Sequence, residues 1–418
     1  TSALDFGNFN SGFDQNSDFF EAGVLTSSRR SETDNSGGYE NLTFEWQRNG
    51  DRPRELMKLN IALNLFDITA ESDYDLTPVL GLASQYETVF EQENNGADIK
   101  LDFESPHAEE NFLTYGLNFN IGEQDFDNRL DLIAGPGPLP YVTALEGRQQ
   151  TLAGYVTYQL DLGDWTLQPG VRGESYRREV VSGSAETDDV DDRLFPSVHL
   201  RRALTPNLNL DLSYSARIQR PGIQQLDPAL RFVDVNRASS GNPNLEPTTT
   251  DAYEANLAYQ ANGASFSLTF FDRISEDIVS QFIEVNGDGV IVSMPVNAGE
   301  SEQRGLQALL RGPLGERWRY SLSGNVLSRQ FDFLTSSGSL DRREEVEYDG
   351  VFQLDYRDPD QNAVGADQVQ VELRFQGPRY GLQTEIEPFY MVNLTYRRKL
   401  ADRLYAVFNA TDIFDSVD

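Results

Sequence analysis

Apolar and polar residues alternate along most of the chain. From Met57 to Leu65 every second residue is apolar and the residues between them are polar or small, and the same alternation recurs in Leu208–Tyr214 and Val369–Phe375. Side chains at every second position of a β-strand share one face, so each segment has one apolar and one polar face. No convincing stretch has the period of 3.6 that is typical of a helix. The pattern predicts an all-β fold.

The alternating segments give about 16 strands, each about 10 residues long. They begin near Tyr39, Arg54, Ala97, Asn111, Arg148, Trp165, Leu194, Leu208, Thr250, Ser265, Ser301, Arg317, Val346, Asp367, Ile386 and Arg403. Strands of this length suit a tilted crossing of a membrane, and their polar faces suit a water-filled interior.

The connections between these strands alternate in length. Short connections are expected at Asn49–Pro53, Ser105–Glu110, Gly163–Asp164, Ala203–Asn207, Ala261–Ala264, Gly312–Glu316 and Lys399–Asp402. Long connections are expected at Thr69–Gly96, Gly122–Gly147, Val181–Arg193, Gln219–Thr249, Glu284–Glu300 and Leu334–Glu345. Every second hairpin then emerges on the same side, which is typical of a transmembrane antiparallel up-and-down β-barrel with short periplasmic turns and long outer loops.

A soluble all-β protein is the alternative, because alternation alone does not distinguish lipid from a dry core. Such a protein would need an unusual closed architecture to protect the edges of so many strands. Aromatic residues near strand ends favour the membrane, since they fit interfacial girdles, although aromatic residues are also common in strands generally. They are Trp46, Trp165, Trp318, Tyr214, Tyr259 and Tyr356. No apolar run approaches the roughly 20 residues that a membrane-spanning helix needs.

Composition narrows the function. The 418 residues include 34 Lys+Arg and 67 Asp+Glu, and the net charge of −33 excludes a nucleic-acid binder that works by general charge attraction. The same excess disfavours an anionic solute. The chain has no cysteine and only two histidines, His107 and His199. Disulfides and thiolate sites are therefore excluded, and little remains for a histidine metal site or a catalytic triad. We expect no metal, no cofactor and no enzymatic activity.

Two motifs carry more specific information. Tyr214–Pro221 reads Tyr-Ser-Ala-Arg-Ile-Gln-Arg-Pro, and Gly241–Pro247 reads Gly-Asn-Pro-Asn-Leu-Glu-Pro, shortly before the strand at Tyr253–Tyr259. This pair closely resembles the barrel of TonB-dependent outer-membrane receptors, in which a strand ending in Ser-x-x-x-x-Arg-Pro enters a long external loop that returns through Gly-Asn-Pro-Asn-Leu-x-Pro. Supporting matches lie at Pro196–Leu200, Arg304–Leu306 and Phe408–Phe414. The resemblance covers the chain from about Tyr39 onward.

The resemblance implies a receptor in the outer membrane of a Gram-negative bacterium. Such a receptor captures a scarce solute at its extracellular loops. A TonB-type inner-membrane energy-coupling complex, acting through an N-terminal plug domain, then drives uptake. Iron chelates, oligosaccharides and peptides all enter through receptors of this type. The expected partners are thus outer-membrane lipid, the coupling complex and a small solute.

Barrels of this class have 22 strands. Neither a plug nor a coupling box is recognisable in this sequence. We therefore expect about 16 strands of a probable 22, with the plug absent. Residues 1–38 are expected to be an N-terminal segment or a partial strand or loop of the barrel, and residues 39–418 an outer-membrane β-barrel that is incomplete at its C-terminus.

Candidate ligand-binding residues lie in or beside the longest connection, because binding usually resides in loops on a rigid scaffold. They are Arg217, Arg220, Asn236, Arg237 and Asn242. A purely structural interpretation is also open. In it, Asn242, Pro243 and Pro247 form a turn, and the two arginines at 217 and 220 pair with loop carboxylates.

Three other features each have a structural and a functional interpretation. The carboxylates of Asp188, Asp189, Asp191 and Asp192 suit a hard cation, but no glycine or distal glutamate at the required spacing supports one, so a solvated outer loop is favoured. Asn286–Gly289 reads Asn-Gly-Asp-Gly and predicts a β-hairpin above the membrane. Ser197 and His199 share a strand face at about 7 Å, which is too far for direct proton transfer, so lining of the lumen is favoured over catalysis.

Three other functions stay open beside the receptor. A passive porin-like channel would conduct without a plug. A barrel enzyme would lose activity on changing His199 to Ala. A structural or adhesive barrel would bind no solute at its loops.

Overall fold

The computed structural model describes residues 2–21, 24–79, 81–107, 111–234, 236–287, 289–334, 340–381, 385–414 and 416. In this part the chain is almost entirely β-structure, and the all-β prediction is confirmed. A single turn of 3-10 helix lies at Ile223–Leu226. No helix among the residues described is long and apolar enough to cross a membrane.

The strands, in chain order, are β1 Ser2–Glu21, β2 Val24–Asn49, β3 Leu56–Pro78, β4 Ser84–Pro106, β5 Phe112–Ala134, β6 Tyr141–Asp161, β7 Trp165–Ser182, β8 Ala185–Thr205, β9 Leu208–Gln219, β10 Arg231–Asp234, β11 Arg237–Ser239, β12 Thr248–Ala261, β13 Ala264–Glu276, β14 Val279–Val285, β15 Ile291–Asn297, β16 Ser301–Leu314, β17 Trp318–Leu334, β18 Leu340–Arg357, β19 Asp367–Gln376, β20 Arg379–Tyr380, β21 Glu385–Ile386, β22 Phe389–Ala401 and β23 Leu404–Ala410.

Seventeen of these strands form one antiparallel up-and-down sheet, called here the main sheet. Its order follows the chain from β1 to β9, then β12, β13, β16 to β19, β22 and β23. The sixteen strands from β2 onward correspond one by one to the predicted strands. β1 is additional, and β2 begins at Val24 and runs through Tyr39 without a break. Within the part described, β1 pairs only with β2, and β23 only with β22.

The register sorts side chains by polarity. One row of direct cross-strand neighbours on β2 to β6 is Phe44, Ile61, Ile99, Phe119 and Leu152. Four of these five are more than one third exposed. We call this side of the sheet the apolar face. An extended surface of exposed large apolar side chains on strands is the signature of contact with lipid.

The opposite side of the same strands is polar. The neighbouring row there is Thr43, Ala62, Asp98, Asn120 and Thr151. This is the polar face, and it has the composition of a surface that borders water.

Predicted strand lengths of about 10 residues are wrong for the first eight strands, which have 18 to 26 residues. The predicted long connection Thr69–Gly96 is mostly strand, because β3 and β4 stay paired as far as Leu76 and Ser84. The same holds for Gly122–Gly147 and Val181–Arg193. Beyond the rows of exposed apolar residues the apolar face becomes acidic, whereas the polar face carries buried apolar side chains such as Leu76, Tyr86 and Leu130. The alternation of the first part of each strand is therefore broken in the sequence while backbone pairing continues.

The structure confirms short connections at Asn49–Pro53, Gly163–Asp164, Ala203–Asn207, Ala261–Ala264, Gly312–Glu316 and Lys399–Asp402. Of the predicted connection Ser105–Glu110, residues 108–110 lie outside the described residues. One further connection was not predicted. β18 and β19 are joined by the nine residues Asp358–Ala366. This segment is fixed to its neighbours, since the Tyr356 hydroxyl donates to Asp358 at 2.8 Å and Lys399 Nζ donates to the Asn362 carbonyl at 2.5 Å. Of the predicted loop Leu334–Glu345, residues 335–339 lie outside the described residues.

The aromatic residues lie where an interfacial girdle would need them. Trp165 and Trp318 open their strands directly after short connections. The Trp318 and Tyr356 rings lie 4.9 Å apart, and the Tyr214 and Tyr253 rings, farther from the short connections, lie 5.0 Å apart. Two aromatic levels separated along the strands fit the two edges of a membrane.

Carboxylates replace the apolar side chains where the apolar face continues toward the long connections. Asp14, Glu32, Asp73, Glu87 and Asp131 are direct cross-strand neighbours on β1 to β5. Like charges directly opposite each other are destabilising. This row explains part of the charge excess, and it places that excess outside the polar face.

Candidate functional site

The connection between β9 and β12 folds back against the polar face of the main sheet. Its residues 220–247 are called here the inward loop. Buried side chains of the loop pack with buried side chains of β5, β6 and β7, namely Ile223, Leu226 and Leu245 with Phe126, Leu145 and Val180. The strand makes room for the loop, because a Cβ at Gly147 would lie 2.4 Å from the Ile223 side chain. The loop is therefore a packed element at the end of the sheet that carries the long connections.

Arg220 fixes the start of this loop. Its Nη1 donates to Glu174 Oε2 at 2.9 Å and its Nη2 donates to Asp191 Oδ2 at 3.1 Å. The guanidinium lies 4.3 Å from the centre of the Tyr176 ring. The Arg220 side chain is only 14% exposed, and its two carboxylate partners are 12% and 17% exposed. Charge-assisted hydrogen bonds that are shielded from water in this way are strong.

The Arg220 partners belong to a larger ladder of charges on the polar face of β7 and β8. Arg172 Nε donates to Glu174 at 2.7 Å and Arg193 Nε donates to Asp191 at 2.6 Å. One step farther out, Arg178 pairs with Asp189 at 3.1 Å. The ladder thus holds four arginines against three carboxylates. Locally the site is not acidic, although the chain as a whole is.

Asp227 fixes the middle of the loop. It is only 1% exposed. Its Oδ1 accepts from the Ser182 hydroxyl at the end of β7 at 2.6 Å and from the Ala229 N–H at 3.1 Å. Its backbone carbonyl accepts from the Gly241 N–H at 2.6 Å. A buried carboxylate needs such partners to offset the loss of water.

The Gly-Asn-Pro-Asn-Leu-Glu-Pro motif closes the loop by close backbone packing. A Cβ at Gly241 would lie 2.6 Å from the Gln225 carbonyl, so only glycine fits there. Asn242 Oδ1 accepts from the Asn244 N–H at 3.0 Å, and Asn242 Nδ2 lies 3.3 Å from the Pro295 carbonyl. The motif therefore forms a turn, as the structural interpretation of Asn242 expected, and it also ties the loop to β15.

A second, four-stranded sheet joins the inward loop, which contributes β10 and β11, to the next outer connection, which contributes β14 and β15. It has the order β10, β11, β15 and β14, with β11 parallel to β15. The β-hairpin predicted at Asn286–Gly289 is confirmed by the antiparallel pairing of β14 with β15, and Asn286 N–H donates to the Val290 carbonyl at 2.9 Å. Asp288 of the predicted turn lies outside the described residues. The loops after β9 and after β13 thus form one platform.

Tyr141, at the outer end of β6, supports this platform from the main sheet. Its hydroxyl accepts from the Phe232 N–H at 3.0 Å, and the two rings lie 6.3 Å apart. Burial raises the pKa of the Tyr141 hydroxyl above its ordinary value. The neutral phenol is therefore the form that fits the folded loop.

The five candidate ligand-binding residues fall in three places. Arg220 and Asn242 anchor the inward loop. Asn236 and Arg237 lie at the β10–β11 turn, where the Asn236 carbonyl accepts from the Ile291 N–H at 2.8 Å. The Arg217 side chain is exposed on the polar face of β9 and has no hydrogen bond or ion pair with any residue that the structure describes. The structure brings the first four to one platform, and Arg217 stands below it.

The aspartate run lies on a strand, so the prediction of a solvated loop there is wrong. β8 places Asp189 and Asp191 on the polar face and Asp188 and Asp192 on the other face. Asp188 pairs with Arg177 at 3.2 Å. The four carboxylates cannot converge on one cation. Among the described residues no group of three or more His, Cys, Asp or Glu side chains is placed to hold a metal.

His199 lines a separate cavity of about 460 Å³ on the polar face, with Gln159, Arg201, Asp211 and Glu254 among its neighbours. Arg201 and Asp211 form an ion pair across it at 2.5 Å. Ser197 shares the His199 face one pair farther along β8. The surroundings are mixed and polar, as the prediction of lumen lining expects.

Sequence reasoning missed Glu174, Tyr176 and Asp227. The first two belong to the alternating segment Arg172-Gly-Glu-Ser-Tyr-Arg-Arg, whose period of two places Arg172, Glu174, Tyr176 and Arg178 on one face. That signal was available in the sequence. No comparable signal marks Asp227, because its partner Ser182 lies 45 residues away.

Comparison with known folds agrees with this architecture. The superposition with the ferric yersiniabactin uptake receptor FyuA from Yersinia pestis covers 98% of this chain and 70% of that one, at 13% identity and a TM-score of 0.59. The superposition with the siderophore receptor PiuA from Acinetobacter baumannii covers 99% of this chain and 75% of that one, at 12% identity and a TM-score of 0.57. The ferripyoverdine receptor of Pseudomonas aeruginosa matches over 99% of this chain and 67% of that one, at 15% identity and a TM-score of 0.55.

These likenesses establish a shared fold. A search of curated protein sequences found no relative. A family model described as the outer membrane protein beta-barrel family matches residues 49–418. The chain is thus placed in the outer membrane of a Gram-negative bacterium. It belongs to the outer membrane protein β-barrel family.

Proposed function

We propose that this chain forms the barrel wall of a TonB-dependent receptor that captures a scarce solute on its extracellular platform for energised uptake. The packed inward loop carries the proposal. Arg220, Asp227 and the buried cluster hold it against the polar face of the barrel wall, where a solute entering from outside would meet it. A receptor needs loops with a fixed shape, because a preorganised site loses less conformational entropy when the solute binds.

Closure of the barrel is part of this proposal. β1 and β23 each keep one unpaired edge among the residues described, and an unpaired edge is not tolerated in lipid. We propose that further strands complete the ring toward the 22 of the plugged transporter class. A plug domain inside that ring would contact the mixed polar groups of the lower polar face, such as Gln159, Arg201 and Glu254, and would connect the receptor to the inner-membrane coupling complex.

Iron(III) chelates are the first solutes to test, because the similar structures are named as receptors for siderophores. The ladder of charges on β7 and β8 has one more arginine than carboxylates, so its local charge is positive. It therefore suits an anionic chelate better than the net charge of the chain suggests. Oligosaccharides and peptides form the comparison set.

The test is uptake by cells that lack the gene, carry the wild-type full-length gene, or carry the Arg220→Ala variant. Uptake of one solute class should disappear in the first strain, return in the second and fall in the third. Single-channel recording of the full-length protein separates the alternative. A steady open conductance without any solute would identify a passive porin and overturn the proposal.

A further inference from the structure

Arg217 is an exposed cation on the polar face that the described part of the chain does not neutralise. Its direct cross-strand neighbour is Thr250 of β12, whose hydroxyl lies 2.9 Å from that of Ser275. The neighbours of Arg217 on the same face of β9 are Ser215 and Gln219. None of these four neighbours carries a charge. The guanidinium therefore stands among neutral groups that can form hydrogen bonds.

The carboxylates on the same two strands are paired with other arginines. On the polar face, β9 carries Asp211 and β12 carries Glu254. Asp211 pairs with Arg201, and Glu254 pairs with Arg273. At a rise of about 3.3 Å per residue, Asp211 also lies about 20 Å from Arg217 along β9, which is out of reach. A chain with 67 acidic and 34 basic residues thus leaves this arginine without a carboxylate.

Arg217 also stands beside a break in the backbone pairing of the wall. β8 and β9 are paired only as far as Ser197 and Ser215. Two residues farther along β9, Arg217 still pairs with β12 but has no described ladder on its β8 side. The two strands are connected beyond this point by the side chain of Arg220, which donates to Asp191 of β8. The break therefore lies at the foot of the inward loop, which begins at Arg220.

A guanidinium with its donors free is suited to an oxyanion. It presents five N–H donors in a planar fork, which matches a carboxylate bidentately. The side chains of Ser215 and Gln219 stand beside it on the same face and can add hydrogen bonds. In contrast, Arg220 and Asn242 use their side-chain hydrogen bonds to hold the inward loop. Arg217 can thus bind a ligand without releasing the loop.

We propose that Arg217 recognises a carboxylate of the solute and so makes the receptor selective for iron(III) chelates that retain ionised carboxylates. The inference rests on the proposed receptor function and adds the chemical class of the ligand to it. Arg217 forms a bidentate pair with one carboxylate at the foot of the inward loop. Charge-assisted hydrogen bonds of this kind increase affinity by about 10- to 100-fold.

The first test is protection of Arg217 from phenylglyoxal, which modifies arginine side chains, in the full-length protein in detergent. Mass spectrometry locates the modified peptides. Arg217 should react in the absence of solute, because its guanidinium is exposed. Iron(III) citrate should protect Arg217, and a neutral iron(III) trihydroxamate should not. Arg311 is the internal control, since it is exposed on the polar face beside a short connection, and neither chelate should change its rate.

The second test is competitive binding of the same two chelates. The wild type should bind iron(III) citrate about 10- to 100-fold more tightly than the trihydroxamate. Arg217→Ala should abolish this preference, and it removes no contact that the structure describes. Arg217→Lys should keep only part of the preference, because an ammonium cannot form the bidentate pair. Arg311→Ala is the matched control, since it removes the same side chain from the same face and should keep the preference of the wild type.

Equal rates of Arg217 modification with and without iron(III) citrate would overturn the proposal. An Arg217 that is unreactive before any solute is added would also overturn it, because another segment of the full-length protein would then supply the carboxylate. Gene-dependent uptake of chelates with an unprotected Arg217 would overturn this inference alone. Protection of Arg217 without gene-dependent uptake would instead overturn the receptor function.

Discussion

Arg220→Ala should release the inward loop while leaving the barrel wall folded. The substitution removes two charge-assisted hydrogen bonds, which contribute about 1.5–3 kcal/mol each, and a ring contact, which contributes about 0.5–2 kcal/mol. Arg172 and Arg193 stay beside Glu174 and Asp191, so neither carboxylate is left alone. We therefore expect a net loss of about 3 kcal/mol rather than the sum of the parts.

Hydrogen exchange measures this directly, because loop opening exposes backbone amides without unfolding the sheet. A loss of about 3 kcal/mol corresponds to roughly 100-fold faster exchange in residues 221–247. Arg217→Ala is the matched control, since it removes the same side chain from an exposed position three residues earlier, and its effect should stay within about 0.5 kcal/mol. Arg220→Lys should restore only part of the protection, because an ammonium cannot bridge two carboxylates as a guanidinium does. Unchanged exchange in Arg220→Ala would refute the reasoning.

Three further outcomes follow from the same contacts. Asp227→Ala should destabilise the loop by about 1–3 kcal/mol, because it leaves the Ser182 hydroxyl and the Ala229 N–H without their acceptor. Thermal unfolding followed by limited proteolysis of the loop measures this loss. A cleavage rate equal to that of the wild type would contradict the prediction. Asp73→Lys should stabilise the extended hairpins by about 0.5–1 kcal/mol, since it breaks a row of like charges. This gain in stability should be smaller at about 1 M salt, because salt screens the charges. A loss of stability in a urea titration would count against the prediction. The raised pKa of Tyr141 favours its neutral form in the folded state. The stability that this hydroxyl contributes should therefore be present below about pH 10 and be lost as the pH rises through the pKa of the folded state. Tyr141→Phe should reduce the loss of folding stability at alkaline pH, and an identical loss in both proteins would argue otherwise.

The sequence determined the strands of the belt well because one physical signal dominates there. Lipid on one side and water on the other force strict alternation, so segments such as Met57–Leu65 could be assigned with their faces. Where the strands extend beyond these alternating segments, as in Thr69–Leu76, apolar residues no longer fall on the same face, because Leu76 is buried on the polar face. The paired strands were therefore taken for loops. β1 was not among the sixteen predicted strands, and residues 1–38 were expected only to be an N-terminal segment or a partial strand or loop, because their apolar residues do not keep a period of two.

The site was predictable in part. The Arg-Pro and Gly-Asn-Pro-Asn-Leu-Glu-Pro motifs indicated the right connection, and Asn242 does form a turn. The direction of the loop was not predictable, because it depends on contacts between residues far apart in sequence, such as Arg220 with Glu174 and Ile223 with Gly147. The side on which a loop packs is a tertiary property that local patterns do not encode.

The account depends on the claim that one face of the main sheet contacts hydrocarbon and the other contacts water. The chain has no cysteine, so single cysteines can be placed at each position from Thr151 to Thr157 of β6 in the full-length protein and labelled with a nitroxide in liposomes. Oxygen accessibility should peak at Leu152, Gly154 and Val156, and accessibility to a water-soluble nickel chelate should peak at the positions between them. Two parallel profiles, or equal chelate access at every position, would contradict the claim.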